Sequence, residues 1–228
     1  MAEWKSHDLG DGILARSTEV GFAAANCYII ADEEQSEGAV VDPGTGDPSE
    51  LDAIVAEVEG AGVRLKYILN THGHPDHMWG NDYLKARLGG EVVIHELDGL
   101  KLTDPERNSS VLFGFSVRVA PADVLVREDD VIELGGVRLK VLHTPGHSSG
   151  GVAFLGDRFV LTGDTLFAGS IGRSDLPCAS EGSSVAYQVL LDSIAEKLMV
   201  LPDDTTVLPG HGPVTTIGRE RDSNPFLR

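Results

Sequence analysis

Apolar residues in this chain come in short runs, and most runs are too short to be helices. Residues 13–18, 26–31, 39–41, 67–69 and 92–94 read as strands bounded by Gly, Pro, Asp or Asn. Residues 131–134, 137–142, 151–155, 159–161 and 205–208 read the same way, and Gly10-Asp11-Gly12 marks a turn. In three places the period lengthens to that of a helix. Pro48 opens one helix that runs to about Gly60, with Leu51, Ile54, Val55 and Val58 on one face. A second covers 76–88 and closes at Gly89-Gly90, and a third covers 183–200, with Val185, Val189, Leu190, Ile194 and Leu198 on one face. From 99 to 121 no period is visible. Asp104-Pro105 and Asn108-Ser109-Ser110 suggest a long surface segment placed to act as a lid. Clusters of strands with few helices predict two packed sheets covered by helices. A doubly wound parallel sheet fits less well, because parallel neighbours need a crossover between them.

The composition is that of an ordinary globular chain. It has 228 residues, 41% of them hydrophobic, and a single domain over 1–228 is expected. The charge is lopsided: 36 acidic against 18 basic residues give a formal net charge of -18. Such a surface repels phosphate backbones and anionic membranes, so neither nucleic acid nor membrane is expected as a partner. The N-terminus lacks the apolar core of a secretory signal, and no stretch reaches the roughly 18 apolar residues that span a bilayer. Cys27 and Cys178 form no CxxC pair, which fits a reducing cytoplasm. Cys27 lies in an apolar run and is expected in the core, Cys178 in a loop. His7, in a polar stretch, is expected at the surface.

The chemistry concentrates in Thr71-His72-Gly73-His74-Pro75-Asp76-His77. Imidazole nitrogens and carboxylate oxygens are the usual ligands of zinc and similar divalent ions. Residues two apart in an extended segment share a side, so His72 and His74 can reach one ion together. Pro75 ends the extended run, and Asp76 and His77 point elsewhere, towards a second ion. Four apolar strands are also followed by a ligand-type residue: His72 after 67–69, His147 after 139–142, Asp164 after 159–161 and His211 after 206–208. Strand ends gathered on one edge are where sites form. Seven ligands suit two ions: His72, His74 and His147 for the first, Asp76, His77 and His211 for the second, and Asp164 between them. Each ion then keeps room for a shared water. His95 and His143 read as supporting residues. Asp42 reads either as an aid that orients a ligand histidine or as a turn residue.

These motifs, in this order and spacing, resemble the metallo-β-lactamase-fold hydrolase superfamily over roughly 13–211. The resemblance implies an αββα sandwich of two mixed sheets flanked by helices, with two metals at one edge. The run Gly163-Asp164-Thr165-Leu166-Phe167-Ala168-Gly169-Ser170-Ile171-Gly172-Arg173-Ser174-Asp175 resembles the short bacterial glyoxalase II-like branch, as does Asn224-Pro225-Phe226-Leu227. That branch implies a thioesterase acting on S-2-hydroxyacyl thiols, with S-D-lactoylglutathione as the reference substrate and zinc, iron or manganese as metals. Asp76 would aim the attacking water. Arg173 would grip a substrate carboxylate, or be a plain surface arginine. Full-length glyoxalase II has a C-terminal helical domain that helps bind glutathione, whereas 17 residues follow His211 here. The thiol therefore transfers less well than the reaction. A mononuclear-iron persulfide dioxygenase is the nearest rival, although Pro-Gly-His211 has the hydrolase form. A lactonase, a lactamase-like hydrolase and a non-catalytic metal-binding module are the remaining alternatives.

Overall fold

The computed structural model describes residues 3–175 and 183–228. Cys178 lies outside the described residues. The first sheet runs in chain order through β1 (Lys5–Ser6), β2 (Ile13–Val20), β3 (Ala25–Asp32), β4 (Glu37–Val41), β5 (Arg64–Leu69), β6 (Glu91–His95) and β7 (Val124–Val126). Its first four strands are antiparallel neighbours, and β4 to β7 are parallel. The chain then forms β8 (Val131–Leu134), β9 (Val137–His143), β10 (Val152–Leu155) and β11 (Phe159–Gly163). A small ribbon of β12 (Leu166–Phe167) and β13 (Ser170–Ile171) follows. Finally β14 (Thr206–Pro209) and β15 (Thr215–Thr216) complete a second sheet in the order β15-β14-β11-β10-β9-β8. Among the described residues, only β11 and β14 pair in parallel there. The helices are α1 (Pro48–Gly60), α2 (Pro75–Met78), α3 (Asn81–Leu88), α4 (Ser183–Ser193) and α5 (Ile217–Ser223).

Apolar doublets explain the layering. Successive strand side chains point to opposite faces, so a strand buried on both faces reads as continuously apolar. Ile30, Val41, Leu69 and Val93 pack between the sheets against Leu139, Val141, Phe154 and Leu161. Their neighbours Ile29, Val40, Ile68 and Val92 pack on the outer face against Ile54 and Val58 of α1 and Leu84 of α3. In the second sheet Leu161 and Leu208 face inward, while Val160 and Val207 meet Leu190 of α4 and the residues Ile194 and Leu198 that follow it. The result is helix, sheet, sheet, helix, the four-layer αββα sandwich. Cys27 is fully buried in the outer cluster of the first sheet.

Several expectations need correction. The helix expected over 76–88 is two helices, broken at Trp79-Gly80. The Gly80 amide donates to the Pro43 carbonyl at 2.8 Å, and a Cβ at Gly80 would lie 2.5 Å from that oxygen. Beyond the break, Asn81 pairs reciprocally with Asn70 at 2.6 and 3.2 Å. The segment 99–121 is not a plain surface run. Lys101, Leu102, Asn108, Ser109, Ser110, Val117 and Val119 are buried, and short 3-10 turns occupy Gly99–Leu102 and Ser110–Phe113. The third helix passes into a π turn over Ile194–Leu198. His7 is half-buried rather than exposed, because its Nε2 meets the Ser17 hydroxyl at 2.8 Å and its ring sits beside Tyr28, 6.1 Å between ring centres. Strand β7 and helix α5 were not visible in the sequence pattern; each is short and half-exposed, so neither carries a clear period.

Candidate metal centre

The site lies on the edge where β4, β5, β6, β9, β11 and β14 end. His72 and His74 follow β5, and Asp76 and His77 sit in the single turn of α2. His147 follows β9, Asp164 follows β11 and His211 follows β14. All seven candidate ligands are brought together. Gly210 makes the close approach possible, since a Cβ there would lie 2.2 Å from Asp164 Oδ1.

His72 Nε2, His74 Nδ1 and His147 Nε2 converge, at mutual distances of 2.9, 3.2 and 2.9 Å. Each of these atoms is either a donor or an acceptor, so in any assignment at least one pair is like against like. A cation facing three lone pairs removes that conflict. The outer nitrogens support this arrangement. His147 Nδ1 donates to the Arg173 carbonyl at 2.6 Å, and His77 Nδ1 donates to Asp42 Oδ2 at 2.9 Å. Thr71 Oγ1 donates to Asp42 Oδ2 at 2.7 Å, so at 3.1 Å from His72 Nδ1 it acts as an acceptor. The inner nitrogens of His72 and His147 are thereby left as lone pairs, while that of His77 faces the carboxylates of Asp76 and Asp164.

The second cluster is orphaned in the same sense. His77 Nε2 and Asp164 Oδ1 are buried without a hydrogen-bond partner, 3.5 Å apart. Asp76 Oδ2 lies 3.7 Å from His77 Nε2 and 3.4 Å from His211 Nε2. Asp164 Oδ2 lies 3.4 Å from His147 Nε2 and 3.5 Å from His211 Nε2. Asp164 therefore touches both groups. Ligand atoms around a tetrahedral zinc sit roughly 3.3 Å apart, and the observed spacings bracket that value. This His/Asp cluster is able to bind metal ions, with His72, His74 and His147 forming one ligand group and Asp76, His77 and His211 another.

The electrostatics differ across the site. Burial pushes the His72 and His147 pKa values down, and it pushes His74 to about 3; neighbouring imidazoles and Lys101 add to the effect on His72 and His74. Burial also opposes charge on His77, but Asp164, Asp42 and Asp76 outweigh it and raise His77 to about 9. Burial opposes charge on His211 as well, and hydrogen bonds to Asp164 and Asp76 overcome it, to about 11. Burial favours the neutral form of Asp164 and Asp76, yet the imidazoles around them hold both below the usual carboxylate range.

Two carboxylates hold the loops in place: Asp42, in the orienting role that is one of its two readings from the sequence, and Asp98, which the sequence pattern does not single out. Asp42 follows β4 and ties His77 to Thr71, whose amide also donates to Asp42 Oδ1 at 2.8 Å. Asp98, fully buried just after β6, accepts from Gly73 N at 2.8 Å, Gly150 N at 2.7 Å and the Ser148 hydroxyl. It also pairs with buried Lys101 at 2.8 Å. One carboxylate thus links the His72–His74 loop to the His147 loop. The signal available for Asp98 was the same strand-then-ligand order used for the others. His95 and His143 stay outside the cluster and stack on each other at 4.2 Å. Arg173 reaches the cavity wall, but its guanidinium forms a two-pronged pair with Asp175 at 2.9 and 3.0 Å. Its carbonyl, rather than its charge, contacts a candidate ligand.

The cavity over the cluster has a volume of about 270 Å³, and its other walls are Phe22, Ala23, Ser109, Phe113 and Phe167. A larger hollow of about 680 Å³ lies by the β8–β9 and β10–β11 turns and contains none of the candidate ligands.

The Metallo-beta-lactamase superfamily matches residues 20–211. The hydroxyacylglutathione hydrolase GloC of Haemophilus influenzae is 35% identical, covering 89% of this chain and 92% of its own. The probable metallo-hydrolase YqgX of Bacillus subtilis is 37% identical, covering 93% and 96%. Among solved structures, the B3 metallo-beta-lactamase BLEG-1 superposes with a TM-score of 0.81 at 33% identity, covering 99% of each chain. TTHA1623, in a di-iron-bound form, superposes with a TM-score of 0.75 at 34% identity, covering 92% and 98%. No helix among the described residues is long and apolar enough to cross a membrane. With its fold and matched length, this chain is a metallo-hydrolase that belongs to the metallo-beta-lactamase superfamily.

Proposed function

We propose that this chain hydrolyses thioesters in the manner of glyoxalase II, converting an S-2-hydroxyacyl thiol to a hydroxy acid and a thiol. His72, His74 and His147 would hold one divalent ion, Asp76, His77 and His211 a second, and Asp164 would contact both. Zinc suits this donor set, and iron or manganese would also fit; the di-iron form of TTHA1623 supports iron as a choice. Bound there, the ions would supply Lewis acidity, lowering the pKa of a water and drawing charge from a carbonyl oxygen. Asp76 lines the cavity with its side chain 16% exposed, so it can accept a hydrogen bond from the attacking water and aim it. Phe22, Phe113 and Phe167 give the cavity apolar walls, which strengthen the charge interactions on its floor.

One observation carries the thioester reading. Beyond the seven candidate ligands, the described cavity wall offers Phe22, Ala23, Ser109, Phe113, Phe167 and an Arg173 already paired with Asp175. No side chain there is suited to protonate a poor leaving group. A thiolate leaves without such help, whereas an amine does not. The likeness to GloC supports the same reaction. We place the enzyme in the cytoplasm with a small-molecule substrate, and the net charge of -18 supports leaving out nucleic acid and membrane.

The test is a substrate panel on protein of known metal content: S-D-lactoylglutathione, a lactone, a β-lactam, and glutathione persulfide with oxygen uptake recorded. Thioester hydrolysis without oxygen uptake is expected. Oxygen uptake with one iron per chain would replace this reading with a dioxygenase. Faster turnover of the β-lactam, a class suggested by the likeness to BLEG-1, would replace it with a lactamase.

A further inference from the structure

We infer that Ser109 is a specificity-determining residue whose hydroxyl hydrogen-bonds a small polar group, a hydroxyl above all, on the acyl side of the substrate. The inference rests on the thioester reading above. Ser109 is 2% exposed, lines the cavity beside His74 and Asp76, and its Oγ has no hydrogen-bond partner. Buried hydroxyls are ordinarily paired, so an unpaired one on a residue that lines the cavity over the metal-ligand cluster marks the place of a ligand atom.

Its neighbours are fully used. Asn108 donates to the Lys101 carbonyl at 2.9 Å and the Val117 carbonyl at 3.0 Å, and accepts from the Ser110 amide at 3.0 Å. The Ser110 hydroxyl accepts from the Val117 amide at 3.1 Å. These bonds fix the segment, and of these three residues Ser109 is the one that lines the cavity. The backbone points the same way. Five described non-glycine residues have positive φ, and only Asp42 and Ser109 among them are buried. Asp42, at 52°, is held by its three contacts with Thr71 and His77. Ser109, at 64°, is held through its backbone, whose amide donates to the Glu106 carbonyl at 3.3 Å and whose carbonyl accepts from the Leu112 amide at 3.1 Å, so the hydroxyl is left as its one polar atom without a partner.

The acyl side follows from depth and size. A cavity of about 270 Å³ holds about nine water-sized groups, enough for the carbonyl and a few atoms on either side. Phe22 and Phe113, each 46% exposed and 5.5 Å apart between ring centres, form the open end, where a long thiol tail has room to leave. Ser109, 2% exposed, is on the buried side of that cavity, and we place the short acyl group there.

The test compares S-lactoyl and S-propionyl thioesters of one thiol, which differ by the 2-hydroxyl, on the metal-loaded enzyme and its Ser109→Ala and Ser109→Gly variants. The wild type is expected to prefer the lactoyl thioester about tenfold in kcat/KM. Both variants are expected to bring that ratio to about one, chiefly through loss on the lactoyl thioester. Their Tm is expected to stay at or above that of the wild type, since Gly suits φ of 64° and an unpaired hydroxyl is removed. An unchanged ratio in the variants, an equal fall on both substrates, or a lower Tm in both variants would overturn the inference. If the wild type cleaves both thioesters without preference, the inference alone fails. If it cleaves neither, the thioester reading fails and takes the inference with it.

Discussion

The pocket of His72, His74 and His147 is all imidazole, and burial keeps its members neutral. The adjoining group of Asp76, His77, His211 and Asp164 is ionised, and both of its imidazoles are driven to hold a proton. The difference follows from where the carboxylates lie. Asp42, Asp76 and Asp164 surround His77, whereas Lys101 stands behind His72 and His74. Without a cation, protons on His77 and His211 neutralise the acidic cluster. An ion entering there has to expel them, while an ion entering the imidazole pocket expels none.

Asp164 spans the two pockets, so Asp164→Ala should have the largest effect. It is expected to lower kcat/KM on the order of 10³-fold or more and to remove tightly held metal from both, as read by steady-state rates and elemental analysis. Loss of one ion with the rate retained would make the pockets independent.

Next comes the support under the imidazole pocket. Asp98→Ala leaves Lys101 buried without its carboxylate and should cost about 3–5 kcal/mol in denaturant unfolding. Asp98 is held at about 2, below its unfolded value of about 3.9. Its contribution is therefore present above about pH 4 and lost as the pH falls towards 2, and the variant should show a weaker acid dependence over that window.

Asp42→Asn should weaken metal binding about 10–100-fold, measured by competition with a chromophoric chelator. The larger share should fall on the ion at His77, which Asp42 contacts directly, because His72 is reached only through Thr71. An equal loss at both ions would remove the distinction between the pockets.

The mildest effect concerns protons. At pH 7 the ion entering the acidic pocket should release about two protons, and the ion entering the imidazole pocket about none, as read by calorimetry in buffers of different ionisation heat. In the metal-free chain, His77 at about 9 and His211 at about 11 lie above their unfolded value of about 6.5. Their stabilisation is full below about pH 6.5 and is lost as the pH rises through those values, so the metal-free Tm should fall between pH 7 and 10. The metal-loaded protein should not show that fall.

The parts of this site legible in the sequence were those encoded locally. His72, His74, Asp76 and His77 lie within six positions, and His147, Asp164 and His211 each follow an apolar strand at a turn. The apolar doublets likewise gave the two-faced strands. What escaped was set by tertiary partners. Asp98 sits in an ordinary turn until Gly73 and Gly150 are brought to it. Asn108-Ser109-Ser110 has the composition of any loop, and its burial depends on Lys101 and Val117. The break at Gly80 arises from the Pro43 carbonyl, 37 positions earlier in the chain.

The most direct test is the metal content of protein purified without chelator, for the wild type and for His211→Ala. A paired site built on these strand ends predicts about two ions per chain in the wild type and about one in the variant. A wild-type chain holding none, or a variant holding as many as the wild type, would contradict it.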